Sequence, residues 1–251
     1  MTYHAPDLSD LDADDSSYAA ASRPAVRLLY ATGPGDVIGT YEHWRAGRDD
    51  PSSVALTYSG QFYNAARAMG ADAYVIAQRP DGRVLHDRKF TIENRPIHFQ
   101  ESGGLRYHLG QLWSGLRLWA TAMRFGADAA VVSAGTHWFA LAPLALSGVK
   151  VIPTLHCALW PAGYRPTGRL RRAIQWLDGL FWRKLAHATI CVSPECERQI
   201  REIAHDKPLR GPVYQVRAQY HPGTLDTLPP AVHVKPLRVL YAGRLACRLG
   251  L

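Results

Sequence analysis

The chain has 251 residues, of which 47% are hydrophobic and 20% are charged, and its net charge is +8. This balance excludes a chain too polar to bury a core, and the length suits one large domain or one and a half ordinary ones. The positive charge favours three classes of partner, namely nucleic acid, an anionic membrane surface and phosphorylated small molecules.

Residues 1–24 are predicted to form a disordered acidic leader. Residues 1–22 contain five Asp, no Lys or Arg and no apolar run, which is not the pattern of a signal peptide. The Asp12-Ala13-Asp14 pair lacks the rigid strand end that would present two carboxylates to a metal, so no metal site is predicted there. The four Cys form no CxxC pair, which argues for free thiols in a reducing cytoplasm and against a zinc site.

Short apolar runs alternate with helical patterns through residues 25–220. Most of the runs are continuously apolar, which is typical of strands buried on both faces of a parallel sheet. The predicted strands are 26–31, 73–77, 83–92 at an edge, 129–133, 149–155, 188–192 and 213–218. The predicted helices are 59–70 with Ser59 as its cap, 106–125, 137–146, 170–185 and a last one from the Ser193 cap to about residue 204.

Helical spacing of apolar side chains assigns a core face to two of these helices. In 106–125 that face comprises Leu109, Leu112, Trp113, Leu116, Ala120 and Met123. In 170–185 it comprises Ile174, Leu177, Leu180 and Phe181. The uncharged stretch 129–149 contains Gly, Pro and Ser, which favours a strand, a turn and a short helix over a membrane span.

The order of elements predicts an α/β fold, a Rossmann-like parallel sheet flanked by helices, over residues 25–220. Residues 221–236 are rich in Pro and Thr and are predicted to be an interdomain linker. Residues 237–251 are predicted to open a second domain, because a fresh apolar strand begins there.

Two chemically suggestive loops follow the strands at 129–133 and 149–155. Thr136 and His137 come after the first of them, and His156 comes directly after the second, with Trp160 close by. Ligands of an open α/β sheet bind beyond the carboxyl ends of its strands. Polar rings and hydroxyls beside aromatic faces suit a sugar, although each His could instead be a hydrogen-bonded structural residue.

The segment 165–184 combines six Arg or Lys with Trp176 and Trp182. A basic, aromatic helix of this kind can lie on an anionic membrane, and the alternative is an ordinary solvated helix face. No motif has the spacing of a nucleic-acid reader, so no nucleic-acid partner is predicted.

Three blocks resemble the N-terminal domain of family-4 GT-B glycosyltransferases, over residues 26–245. The most specific is DAAVVSAGTHWFALAPLALSGVKVIPTLHC from Asp128, similar to the family's strand, His-containing loop, short helix and strand ending in His. The others are ATICVSPECERQI from Ala188 and RVLYAGRL from Arg238, which looks like the opening of the family's donor domain. The resemblance implies a retaining, metal-independent enzyme without a cofactor. A nucleotide sugar is its co-substrate, and a glycan or lipid-linked molecule is its acceptor.

The resemblance also implies roles for single residues. His156 matches the active-site His near the acceptor and the transferred sugar, and Gly33 and Gly35 fall where the family's glycine-rich loop approaches the donor phosphates. Arg244 matches the Arg that offsets negative charge on the departing diphosphate.

The sequence departs from the family pattern in three ways. The first loop reads Gly-Pro-Gly instead of two adjacent glycines, the family's Lys after the Gly-Arg pair is missing, and the donor domain with its paired Glu is absent. We therefore expect the 251-residue chain to be a truncated, inactive N-terminal half. The free thiols and the N-terminal pattern indicate a cytoplasmic location, and the basic segment 165–184 allows peripheral contact with the inner face of the membrane.

Two other functions fit parts of the sequence. Gly33, Gly35 and Gly39 after the first strand approach a dinucleotide fingerprint, which would indicate a nucleotide-dependent oxidoreductase. Against this reading, no clear amphipathic helix follows the glycines, and Gln78-Arg79 replaces the acidic residue expected after the second strand. The other alternative is a non-catalytic module that binds sugars or membranes.

Overall fold

The computed structural model describes residues 25–53, 55–96, 104–133, 136–161, 168–216 and 219–220. The predicted leader, the linker at 221–236 and the second-domain segment at 237–251, including Arg244, lie outside these ranges.

One eight-stranded sheet, in the order β4-β5-β3-β1-β6-β7-β8-β9, organises the described chain. Seven strands are parallel and only β4, at one edge, runs antiparallel to its neighbour, which confirms the predicted α/β class. A separate antiparallel pair joins β2 to β10. The strands are β1 (Arg27–Ala31), β2 (Ala55–Leu56), β3 (Asp72–Ala77), β4 (Val84–Asp87), β5 (Phe90–Asn94), β6 (Ala129–Val132), β7 (Lys150–Leu155), β8 (Thr189–Cys191), β9 (Val213–Gln215) and β10 (Gln219–Tyr220).

Within the described ranges, six α-helices and one 3-10 turn, at Trp138–Leu141, connect these strands. The helices are α1 (Val37–Arg45), α2 (Tyr58–Ala68), α3 (Gly104–Phe125), α4 (Ala142–Leu146), α5 (Arg169–Lys184) and α6 (Pro194–Ile203). Side chains alternate along β1, so Leu28 and Tyr30 share a core with α1 and α2, whereas Leu29 and Ala31 share one with α3 to α6. None of the helices in the described ranges combines enough length and apolarity to cross a bilayer.

The chain reverses its direction across the sheet at β1. From β1 it moves outward through β3 to β5, then returns by α3 to β6 on the other side of β1 and continues to β9. The loops that follow β1 and β6 therefore diverge, and such a switch point is where open α/β sheets form their ligand crevice.

Helix starts agree with the sequence in one case and differ in two. Ser193 caps α6 as predicted, with its Oγ accepting from the Cys196 N–H at 3.3 Å. For α2 the cap is Thr57, whose Oγ1 accepts from the Gly60 N–H at 2.9 Å, so the choice of Ser59 was wrong. The expectation that no clear amphipathic helix follows the first glycine loop was also wrong, because α1 starts immediately after its Asp36 cap and buries Val37, Ile38 and Tyr41.

The predicted edge strand at 83–92 is two strands, β4 and β5, joined by a tight turn. Arg88, in the turn, has a positive φ of 49°. The sequence shows no Gly or Pro at this turn, so the two strands read as one run.

The core faces of α3 and α5 differ most from prediction. Leu109 and Trp113 of α3 are each 54% exposed, and Leu180 of α5 is also exposed. Glycines face inward instead: a Cβ at Gly115 would lie 2.9 Å from the Ala140 carbonyl oxygen, and Gly179 packs directly on the Ile203 carbonyl. Small residues let the helices approach their neighbours closely, and this close approach outweighed the spacing of the large apolar side chains.

Candidate active site

His156 lies at the carboxyl end of β7, where its ring packs against the ring of Tyr58. The two centroids are 4.1 Å apart and the planes are inclined by 45°. Because Tyr58 is the first residue of α2, the site joins the end of a central strand to a helix N-terminus. Tyr58 was not among the predicted site residues, because the predicted helix 59–70 begins one residue after it.

The His156 imidazole is half-buried, and burial lowers its pKa. Its Nδ1 is buried and has no hydrogen-bond partner among the described residues, and the same holds for Oγ1 of Thr154, two residues earlier in β7. Native proteins leave few buried polar atoms unpaired, so these two atoms at one strand end are candidates for contacts with a ligand or an ordered water.

Two tyrosines, Tyr30 and Tyr58, lie near the carboxyl ends of β1 and β7. Tyr30, near the end of β1, is buried and stacks on Phe62 with centroids 4.5 Å apart. Burial raises the pKa of Tyr30, and burial followed by the nearby Cys196 thiol raises the pKa of Tyr58. Both phenols are therefore neutral hydrogen-bond donors at ordinary pH.

Gln199, in the middle of α6, fixes the loop that follows His156. Its Oε1 accepts from the N–H groups of Leu159 and Trp160 at 2.6 and 3.3 Å. Its Nε2 donates to the Trp160 carbonyl and to Glu195 Oε1, both at 2.8 Å. Gln199 is fully buried, and all of its polar atoms are used. A lone Gln inside a helix gives no sequence signal for this role.

Trp160, predicted to contact a sugar, is only 5% exposed and packs in the core beneath the α3–α6 layer. Its backbone is held by Gln199, so the structure gives this residue a packing role in the loop. Its predicted sugar contact stays a prediction.

His137 and Thr136 contact α3, on the other face of the sheet from Tyr58. His137 Nε2 lies 3.0 Å from Nδ1 of His108, and burial followed by the His108 charge lowers the pKa of His137 to about 4. The Thr136 hydroxyl donates to the Gln111 carbonyl at 2.9 Å. Both residues lie at the predicted sheet edge, but their side chains already have protein partners, and their role with a sugar stays a prediction.

The 3-10 turn after His137 is held by a buried carboxylate. Asp178 of α5 is 8% exposed, and its Oδ1 accepts from the Phe139 N–H at 2.9 Å. Burial raises the pKa of Asp178 to about 7, against the lowering effect of its backbone hydrogen bonds. The group that positions this loop therefore titrates near neutral pH.

The predicted phosphate loop lies at the same sheet edge, directly before α1. Gly35 is exposed, and a Cβ there would meet nothing within 4 Å, so the space beside it is open. Gly33 is partly buried and its carbonyl accepts from the Gln78 N–H at 3.2 Å. The Asp36 carboxylate accepts from the Gly39 N–H at 3.2 Å, which places a negative charge where a phosphate would otherwise use the helix N-terminus. Phosphate binding by the two glycines stays a prediction.

Comparisons with known proteins give one family match. The model described as Glycosyltransferase Family 4 matches residues 57–210, a range that includes Tyr58, His156 and Gln199. No curated protein matches the sequence.

Two solved structures are similar to this chain over part of their length. Sucrose-phosphate synthase from Thermosynechococcus elongatus is 11% identical with a TM-score of 0.48, and the match covers 76% of this chain and 48% of that one. An alpha,alpha-trehalose-phosphate synthase (UDP-forming) from Burkholderia vietnamiensis is 10% identical with a TM-score of 0.48, covering 76% of this chain and 47% of that one. The chain thus spans less than half the length of either protein.

Proposed function

Because the chain belongs to glycosyltransferase family 4, we propose that its carboxyl-edge site takes part in moving a sugar from a nucleotide sugar to a glycan or lipid-linked acceptor, with retention of configuration. The observation that carries the proposal is the His156–Tyr58 pair, which lies inside the matched range. Within the part of the chain that the structure describes, the buried Nδ1 of His156 has no hydrogen-bond partner. The family match favours sugar transfer over the oxidoreductase alternative, although α1 removes one of the two arguments against a dinucleotide loop.

The chemistry of the site suits sugar recognition. A lowered pKa keeps the His156 imidazole neutral near pH 7, so it can donate or accept a hydrogen bond to a sugar hydroxyl. The neighbouring Tyr58 ring offers an aromatic face to the C–H side of the sugar, and its neutral hydroxyl offers a donor.

A leaving diphosphate needs positive charge or N–H groups as it departs. Gly33, Gly35 and Arg244 remain the proposed sources of this stabilisation. We also propose that no metal is required, since Arg and backbone N–H groups can offset the same charge. Chelation of divalent metals is therefore expected to leave transfer unchanged. Loss of activity with EDTA and its recovery with added metal would contradict this.

The test is a sugar-transfer assay on the protein purified from its native source. The donors are a panel of nucleotide sugars, and the acceptors are glycan and lipid extracts. His156→Ala is expected to lower turnover about a hundredfold or more, as removal of a positioned polar catalytic group does. His187→Ala is the matched control, because His187 is exposed and precedes β8 at the opposite, amino end of the sheet.

Equal turnover in the two His variants would remove His156 from the mechanism. NMR of the product anomer decides between retention and inversion. The expectation that the 251-residue chain by itself lacks transfer activity is checked by running the same assay on that chain.

A further inference from the structure

Exposed apolar side chains are concentrated on one helical layer of the protein. Eleven of the fifteen exposed large apolar residues in the described chain belong to α3, α4 or α5, and none belongs to α1, α2 or α6. Large apolar patches on a protein surface mark places where another apolar phase or partner is bound.

Helix α3 carries the longest part of this patch. Six of its exposed apolar residues follow helical spacing along its outer side: Leu105, Leu109, Trp113, Leu116, Trp119 and Met123. With 22 residues the helix is about 33 Å long, and the stripe extends along almost all of it. The Trp119 Nε1–H donates to Ser147 Oγ at 2.8 Å, which joins the stripe to the end of α4.

Charge on the three helices α3, α4 and α5 is almost entirely positive. Helix α3 contains Arg106, Arg117 and Arg124 and no acidic residue, and α5 adds five Arg or Lys beside its exposed Leu170 and Trp176. The one acidic residue of the three helices is Asp178, which is buried against the 3-10 turn. Helix α6, by contrast, pairs its arginines with its own glutamates, as in Arg198–Glu195 at 2.7 Å.

We propose that the outer side of α3, α4 and α5, the α3–α5 surface, docks on an anionic lipid bilayer. Leu and Trp side chains would enter the boundary between headgroups and acyl chains, while the arginines extend to the lipid phosphates. This surface contains the exposed residues of α5 from the predicted membrane segment 165–184. Trp182, predicted to be part of the membrane contact, is instead buried in the core, because it lies on the inner side of α5. Helix α3, expected to be buried, supplies seven of the eleven exposed large apolar residues of the surface. A second copy of the chain fits poorly, because symmetric pairing would bring the same cations together.

The surface adjoins the candidate active site. Helix α3 begins on the side of the sheet where β5 ends, and its His108 contacts His137 in the loop after β6. Docking would hold this edge next to the membrane, within reach of a lipid-linked acceptor. Only this last step rests on the proposed function; binding to the bilayer does not.

The test is flotation of the full 251-residue chain with vesicles, without any nucleotide sugar. One set is pure phosphatidylcholine and the other contains about one-third phosphatidylglycerol. The protein is expected to float with the anionic set only, and added salt is expected to release it. Absence of binding to the anionic vesicles, or equal binding to both sets, would overturn the proposal.

A triple variant, Leu109→Gln/Trp113→Gln/Leu116→Gln, tests the surface itself. These side chains are 54%, 54% and 43% exposed, so the substitutions spare the core. Binding to the anionic vesicles is expected to fall at least about tenfold. Circular dichroism checks that both the variant and the wild type are folded.

The matched control is Met69→Gln/Val84→Gln/Tyr214→Gln, whose side chains are 55%, 53% and 57% exposed outside the α3–α5 surface. Its binding is expected to change less than about twofold. Equal losses in the two triple variants would show that this surface is not special and would refute the proposal.

Two measurements test the other occupants of the surface. Sedimentation equilibrium measures whether the wild-type chain dimerises. A dimer that forms in the wild type but not in the α3 triple variant would assign the surface to a second copy and would overturn the proposal. Flotation of a chain that lacks residues 1–24 tests the acidic leader. Binding by that chain, together with none by the full chain, would mean that the leader covers the surface, and would overturn docking of the full chain.

Discussion

Replacing Asp178 with Asn should change how the stability of the protein depends on pH. In the folded protein burial raises the pKa of this carboxyl from 3.8 to about 7, so the folded state holds its proton more tightly than the unfolded chain does. The stability that this proton contributes is full below pH 3.8, falls as the pH rises, and is lost above about pH 7. A pKa difference of this size corresponds to about 4 kcal/mol.

The Asn variant keeps an oxygen that can accept the Phe139 N–H, but it has no charge to desolvate. Urea unfolding of both proteins between pH 4 and pH 8 gives the difference in their free energies of unfolding. That difference should shift in favour of the variant by up to about 4 kcal/mol as the pH rises. Asp81→Asn, at a partly exposed ion pair with Arg79, controls for the lost charge. A difference independent of pH, or one that shifts towards the wild type, would refute the reasoning.

Two further changes address the loops at the sheet edge. Gln199→Ala removes the oxygen that accepts from the N–H groups of Leu159 and Trp160 and opens a cavity, so it should lower the free energy of unfolding by about 2–4 kcal/mol in urea. An effect below about 1 kcal/mol would contradict the role of Gln199 in fixing this loop. For His137, whose pKa is lowered to about 4, stability should be full above pH 6.5 and decline as the pH falls towards 4. His137→Gln should remove that decline, and an identical decline in both proteins would exclude His137 as its cause.

The strands were predictable because their signal is local. Runs such as residues 73–77 and 149–155 are mostly apolar and end at turn-forming or polar residues, and both became strands within one residue of their predicted bounds. The position of His156 directly after the run 149–155 then places it at the carboxyl end of a parallel strand, whereas the order of the strands was not predicted.

Helix orientation was not predictable in the same way, because it depends on contacts between distant residues. In α3, Gly115 faces Ala140, 25 residues later, and this close approach turned the larger side chains outward. The hydrogen bonds of Gln199 and Asp178 join residues about 40 positions apart, which no local pattern records. The ring contact between Tyr58 and His156 is likewise visible only once α2 and β7 are folded together.

The exposed tryptophans of α3 also affect how self-association of the protein depends on salt concentration. In water without lipid, only mutual repulsion of the arginines beside the stripe keeps two such surfaces apart. That repulsion is effective over about 10 Å at 0.1 M salt and over about 3 Å at 1 M, whereas attraction between the apolar side chains persists. Buffers of high ionic strength, which keep many basic proteins soluble, should therefore promote self-association of this protein.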